Sequence, residues 1–363
     1  MPPHPVLERL VERVHQAHRE GTALEIRGGG TKSFYGGSPT GAPLNVTGLA
    51  GISSYEPTEL VVTARAGTPL AELESTLAAQ DQCLPFEPPH FSGIGTVGGM
   101  VAAGLSGPAR ATLGSVRDHL LGVTLLNGRG EVLTFGGQVA KNVAGYDVSR
   151  LMAGSLGILG VICEVSLKVL PISPASRTLC FECDEAGALG QLNRWNSQPL
   201  PISASSWHDD RLYIRLSGAQ AAVSAACDKL GGAEIDSDGA RRWWCGVRDQ
   251  VHDFFSVTDT ALADGECLWR LSVPATSPAL GLPGGQFIEW HGAQRWWRTT
   301  APVRTLREAA ARVGGHATLV RGADKSAGVF TPPGEVLMRI HRGLKRAFDP
   351  AGIFNPGRLY SEF

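Results

Sequence analysis

The chain has 363 residues, enough to bury a large core and, since single cores stop growing before roughly 300 residues, to divide into two domains. Hydrophobic residues make up 43% and the formal net charge is −1, which excludes an overall basic field that would draw nucleic acid or an anionic membrane to the protein. No run of about eighteen apolar residues occurs, Glu8, Arg9, Glu12 and Arg13 interrupt any secretory core, and seven dispersed cysteines imply reduced thiols, so a cytoplasmic protein without a membrane span is expected.

Val6, Leu7, Leu10, Val11 and Val14 recur at helical spacing before Gly21, which predicts a helix over residues 6–19 and then a strand over Leu24–Arg27. That strand opens into RGGGTKSFYGG, Arg27–Gly37, where missing Cβ atoms let main-chain N–H groups approach a polyanion. Lys32 and Ser33 resemble the end of a nucleotide triphosphatase loop, but Thr31 stands where that loop requires glycine. Strands follow at Leu44–Val46 and Leu60–Ala66. A helix is expected from Gly67 to Ala79, with Thr68 as its cap and Pro69 in the first turn.

The second glycine segment is GIGTVGGMVAAGLSG, Gly93–Gly107. Gly93, Gly95 and Gly98 satisfy the GxGxxG pattern, and Asp118 follows at the distance of a ribose ligand. The pattern needs a buried strand before it, however, and Pro85, Pro88 and Pro89 deny ladder hydrogen bonds there. A Rossmann nicotinamide-binding fold stays as the alternative. Two glycine segments in one domain point to a long ligand gripped at two places, a dinucleotide.

From His119 the run HLLGVTLLNGRGEVLTF predicts a hairpin turning at Asn127–Gly130. A helix is expected over Asp147–Ala153, with Asp147 as a cap rather than half of an acid pair with Tyr146, and then a long β segment ending at Pro171. Pro171 and Pro174 mark a domain boundary. Beyond it, strands at 177–183, 212–217, 267–273 and 286–291 alternate with helices at 184–195 and 219–230, an order that suits an α/β sandwich over one antiparallel sheet.

Cys180 and Cys183 form one CxxC without a second pair to complete a metal site, and the histidines are scattered, so no metal is expected. Trp243, Trp244, Trp290, Trp296 and Trp297, beside Arg241, Arg242, Arg295 and Arg298, could be core or a partner surface, and the paired tryptophans favour an interface. A last helix over Glu335–Phe348 and the tail DPAGIFNPGRLY are expected to dock back on the first domain.

Three segments in this order, RGGGTK, TVGGMVAAGLSG and GYDVSRLMAGSLGILGVICEVSLKVLP, resemble the PCMH-type FAD-binding domain of the vanillyl-alcohol-oxidase superfamily, and FDPAGIFNPGRL matches the close of its FAD-linked oxidase branch. Length and wording are most similar to the FAD-binding E subunits of bacterial glycolate oxidases. The resemblance implies an α+β fold: a PCMH-type FAD-binding domain over 1–172, an inserted ferredoxin-like α/β sandwich cap over 173–332, and a return to the first domain over 333–363. It implies that Gly28, Gly29, Gly30, Thr31, Lys32 and Ser33 wrap a pyrophosphate. Thr96, Gly98, Gly99, Ala102 and Gly104 would line the second wall, and Gly154, Gly160, Val161 and Ile162 would approach from the later strand.

Some members of that superfamily attach flavin through a histidine in the first loop; Thr31 stands at that position here, so noncovalent FAD is expected. Relatives that oxidise 2-hydroxy acids unaided carry a histidine pair and an acidic group that this chain lacks. The resemblance therefore implies glycolate oxidation to glyoxylate beside a sister flavoprotein subunit, with electrons passing to an iron–sulfur subunit. An autonomous 2-hydroxy acid or alcohol oxidoreductase and an assembly subunit with a vestigial site are the alternatives. Should a small 2-hydroxy acid bind, its carboxylate needs an arginine and its hydroxyl a base, which makes His90, Arg110, Arg270, Arg321 and His341 the candidates.

Overall fold

The computed structural model describes residues 4–91, 93–137 and 147–363. The first helix, Pro5–Glu20, starts on His4, whose ring nitrogen accepts from Val6 N, and stops at Gly21, where φ is 64°. Its apolar stripe of Leu7, Leu10, Val14 and Ala17 is buried with Leu24 and Leu44 of two short parallel strands, Leu24–Arg27 and Ala42–Asn45.

Behind these lies a five-stranded antiparallel sheet in the spatial order Ile52–Glu56, Val61–Arg65, Val161–Lys168, Leu120–Leu126, Val132–Gly136. The expected hairpin is present, and Asn127 closes its turn by accepting from Arg129 N and Glu131 N. The central strand Val161–Lys168 is buried on both faces because helices cover each side: Leu7–Ala17 on one, and Leu70, Leu73, Leu77, Met100 and Val101 on the other. Burial at that scale, about 1.5–3 kcal/mol per large apolar side chain, fixes the sheet against which the glycine segments are held.

Several local expectations change. Pro69, not Thr68, occupies the capping position of the helix Leu70–Ala78, because the fully buried Thr68 hydroxyl already accepts from Gly51 N at 2.9 Å. Only a single 3-10 turn, Ser149–Met152, stands where a helix to Ala153 was expected; Asp147 accepts there from Ser149 Oγ and Arg150 N, while Tyr146 lies outside the described residues. Among the described residues no strand runs directly into the GxGxxG match, the five-stranded sheet is antiparallel, and Asp118 is engaged by Ser115 N and Oγ at 2.8 Å each in a capping box. The Rossmann alternative therefore fails.

The later residues build an eight-stranded antiparallel sheet in the order Ala233–Ile235, Ala175–Glu182, Arg211–Gly218, Ile202–His208, Gly285–Glu289, Gln294–Thr299, Cys267–Ser272, His316–Arg321. Strand alternation divides its faces. Trp269 and Leu271 turn to the helix Val303–Arg312, while Leu268 turns the other way, to Val247, Phe255, Phe287 and Trp296. The helix Ser237–Arg248 and the strand His316–Arg321 escape the sequence pattern, the helix because Arg241, Arg242 and Arg248 leave its buried stripe only Trp244 and Val247.

The tryptophans are core rather than surface. Trp244, Trp290, Trp296 and Trp297 are all buried, and Trp243 stacks on Tyr213 with ring centroids 3.8 Å apart. The last helix, Glu335–Phe348, packs Met338, Leu344 and Phe348 into the core of the five-stranded sheet. Among the described residues no group of histidine, cysteine and acidic side chains could hold a metal ion, and no helix is long and apolar enough to cross a membrane.

Candidate functional site

The strand Leu24–Arg27 delivers the chain into Gly28–Gly30 at the floor of a cleft enclosing about 850 Å³, its mouth included. The opposite wall is the helix Val97–Ala103. Thr96 caps it by accepting from Gly99 N at 3.3 Å. The two glycine segments touch, and side chains would separate them: a Cβ on Gly28 would sit 2.4 Å from Thr96 Oγ1, and one on Gly29 only 1.5 Å from Ile94 O. Gly98 in turn lies against Ala66, with 2.6 Å between the Ala66 Cβ and the Cβ that Gly98 lacks. Glycine at these places brings main-chain N–H groups from both segments to one crevice.

Of the residues singled out from sequence, Gly28, Gly29, Gly30, Thr31, Lys32, Ser33, Thr96, Gly98, Gly99, Ala102, Gly160 and Ile162 line this cleft. Gly104, Gly154 and Val161 do not. Gly104 ends the helix and meets Gly154 behind the wall, where Gly154 N donates to Val101 O. Val161 points to the opposite face from Ile162 and is buried with Leu126 and Cys163.

Electrostatics favour an anion. Among the described residues Lys32 Nζ makes one hydrogen bond, to Thr31 Oγ1 at 3.3 Å, lies 5.5 Å from the Phe91 ring centroid, and forms no ion pair. Burial lowers its pKa to about 8, so its charge lacks a counter-charge that a phosphate would supply. Among the described residues, the amides of Gly29, Gly30, Thr31 and Lys32 donate to no carbonyl. A cation and a run of such amides at the end of a strand fit a dinucleotide pyrophosphate.

Two residues from the far end of the chain complete the cleft, and sequence reading had assigned them no role. Asn355 accepts from Ile26 N at 2.7 Å and donates to Leu156 O at 2.6 Å, stitching the first strand to the turn that precedes the strand Val161–Lys168. Arg358 donates to the carbonyls of Ser33, Gly37 and Lys32, bracing the first glycine loop; burial lowers its pKa, opposed by Glu25. The tail motif FDPAGIFNPGRL was the available signal.

The catalytic candidates separate. Arg270 donates to Tyr35 Oη at 2.8 Å, Arg321 stacks over Phe34 at 4.0 Å from its centroid, and Arg110 lies 4.4 Å over Trp290. Arg270 and Arg321 thus come from the eight-stranded sheet to the first glycine loop. His90 is drawn instead to Glu74, 2.7 Å away, and His341 lies among Tyr360 and Phe363.

A family model described as an FAD binding domain matches residues 7–136, and one described as the C-terminal domain of FAD linked oxidases matches residues 302–359. The chain is 46% identical to the glycolate oxidase subunit GlcE of Escherichia coli over 98% of its own length and 97% of that protein's. It is 31% identical to the glycolate oxidase subunit GlcD of Bacillus subtilis, over 46% of this chain and 35% of that one. A D-lactate dehydrogenase of Anaerostipes hadrus is 34% identical over 39% of this chain and 29% of its own. A solved alkyldihydroxyacetonephosphate synthase superposes with a TM-score of 0.67 over 96% of this chain and 75% of its own; at 16% identity this shows a shared fold.

Proposed function

We propose, for a chain that belongs to the FAD-linked oxidase family of the glycolate oxidase subunit GlcE, that it is the FAD-binding subunit of a glycolate oxidase complex converting glycolate to glyoxylate. FAD is the cofactor, and when bound it supplies the acceptor for the two electrons and the hydrogen removed from the substrate carbon. The observation that carries this reading is the cleft itself, where two glycine segments in contact and the buried Lys32 present donors to one diphosphate.

This chain's residues bind and orient. Gly28–Ser33 hold the pyrophosphate, Thr96–Ala102 form the facing wall, and Asn355 with Arg358 keep the loop closed. No histidine lines the cleft among the described residues, which supports dissociable FAD. A sister flavoprotein subunit is the partner, in keeping with the similarity to both GlcE and GlcD, and the electrons go on to an iron–sulfur subunit. The dispersed free thiols support a cytoplasmic setting, with membrane contact arising only through partners. The division at 172/173 and 332/333 follows the change from one sheet to the other and the return of the last helix.

Coexpression with and without the sister subunits tests the reading. Yellow protein is expected in both preparations, with anaerobic bleaching by glycolate only, or far faster, in the complex. A colourless, well-folded chain that takes up no added FAD overturns it.

A further inference from the structure

The hairpin that joins the strands Gly285–Glu289 and Gln294–Thr299 turns through Trp290, His291 and Gly292, whose φ angles are 52°, 57° and 94°. Glycine adopts this left-handed region freely, whereas a tryptophan and a histidine side by side are strained there. Strain of this kind persists only where contacts hold it, and both side chains are buried, at 8% exposure each.

The polar contacts of both side chains run to one segment, Gly107–Thr112, which begins where the second glycine segment ends. Trp290 Nε1 donates to Gly107 O at 3.0 Å, and the Arg110 guanidinium lies 4.4 Å from the centroid of the same indole. Thr112 Oγ1 donates to Ile202 O at 3.1 Å, so in its 3.3 Å contact with His291 Nε2 the ring nitrogen is the donor. Burial lowers the pKa of His291 to about 4, in keeping with a neutral ring. The backbone of the turn is tied to its own sheet, since His291 N donates to Ser205 Oγ at 2.8 Å.

The gripped segment has little freedom to yield. Gly107 N donates to Phe86 O at 2.9 Å, and a Cβ on Gly107 would sit 2.4 Å from Glu87 O. Ala109 N donates to Glu87 Oε2 at 2.8 Å, and Arg215 of the eight-stranded sheet holds Glu87 Oε1 at 2.8 Å. Upstream, only Leu105 and Ser106 separate Gly107 from Gly104, where the helix Val97–Ala103 ends, and Leu105 is buried with Tyr35, Ala103 and Leu156. A displacement of Gly107 therefore passes to the helix that carries Gly98 and Gly99 on the cleft wall. Neither Trp290 nor His291 lines that cleft.

We propose that Trp290 and His291 are positioning residues: their strained turn latches Gly107–Thr112 and thereby sets the helix Val97–Ala103 against the first glycine loop, so that retention of the dinucleotide depends on a turn of the other sheet that never reaches it. The inference rests on the functional reading above for the identity of the ligand, FAD, and on the structure alone for the coupling. With the contacts to Gly107 and Thr112 broken, the left-handed backbone loses what compensates it, and the latch releases as a unit.

The test compares wild type with Trp290→Phe, which keeps a ring beside Arg110 and loses the N–H, and with Thr112→Val, which loses the hydroxyl that Thr112→Ser keeps. Thr112 is exposed, so its variants guard against a tryptophan variant that fails to fold. FAD release is followed by fluorescence from folded protein without denaturant, beside hydrogen exchange over residues 97–107 and the urea midpoint. Release faster by about fivefold or more in Trp290→Phe and Thr112→Val, with quicker exchange over 97–107 and wild-type behaviour in Thr112→Ser, supports the latch. A shifted urea midpoint with release from the folded protein unchanged marks a merely structural role and overturns it, as does unaltered exchange over 97–107. If FAD binds and leaves every variant at the wild-type rate, the latch falls and the cofactor reading stands. If wild type takes up no FAD, the cofactor reading falls, and exchange over 97–107 in the apoprotein decides the latch by the same criterion.

Discussion

Arg270 and Tyr35, 235 positions apart, are joined by a 2.8 Å hydrogen bond that ties the eight-stranded sheet to the first glycine loop. Lys325 reinforces the tie by donating to Phe34 O at 2.7 Å and Gly36 O at 2.9 Å. Tyr35→Phe deletes the acceptor and leaves part of a half-buried guanidinium unmatched. A loss of about 1–2 kcal/mol is expected in urea unfolding, accompanied by faster FAD release.

Lys32 is a buried cation lining the cleft proposed for the diphosphate, and Lys32→Met should weaken FAD binding about tenfold or more, the loss of a charge-assisted hydrogen bond worth about 1.5–3 kcal/mol. Its lowered pKa of about 8 sets the pH response. A bound phosphate raises that pKa, so binding takes up a proton above about pH 8 and affinity falls as the pH climbs through that value. Fluorescence titration of FAD into apoprotein at pH 7 and pH 9 reads the difference, and the Met variant should be flat over this range.

Gly29→Ala would place a methyl 1.5 Å from Ile94 O, a main-chain atom that cannot swing aside. The two glycine segments must then part. Protein that folds but retains less than about a tenth of the normal flavin is expected, measured by absorbance after gel filtration. Retention of full flavin would show that contact between the segments is dispensable.

Glu289 is held up to about pH 7 by burial, against the hydrogen bonds from Trp296 and Gln294 and the charge of Arg270, which lower it; Glu87 adds to the rise. In the unfolded chain it ionises near 4.5, so the folded state binds more protons between these values. Its contribution to stability is complete below about 4.5 and is lost as pH rises through about 7. Urea unfolding at pH 5 and pH 8 should show this loss in wild type. Glu289→Gln should flatten it while keeping an acceptor for Trp296.

Sequence reading found what local chemistry writes down. The strand Leu24–Arg27 and the helix Glu335–Phe348 were located because a capping glycine, an apolar stripe or a turn marks each of them. Twelve cleft residues were named from segments whose glycine content has a direct geometric meaning. Asn355 and Arg358 were passed over because the tail motif that contains them marks a segment but not the contacts with Ile26, Leu156 and Ser33 on which their role depends. Val161 was included for the converse reason. Its neighbours in sequence reach the cleft, and only the alternation of an observed strand shows that it turns away. The tryptophan pairs misled because arginines beside an aromatic read as surface, whereas Arg295 is fully buried and donates to the carbonyls of Gly292, Pro278 and Ser277.

The bonds from Asn355 to Ile26 and from Arg358 to Ser33 span 329 and 325 positions. A ribosome adding about 5–20 residues per second therefore makes the first wall roughly twenty seconds to a minute before the residues that lock it. Stable flavin loading is therefore expected only once Asn355 and Arg358 have emerged, and a ribosome stalled short of Asn355 should carry a colourless product.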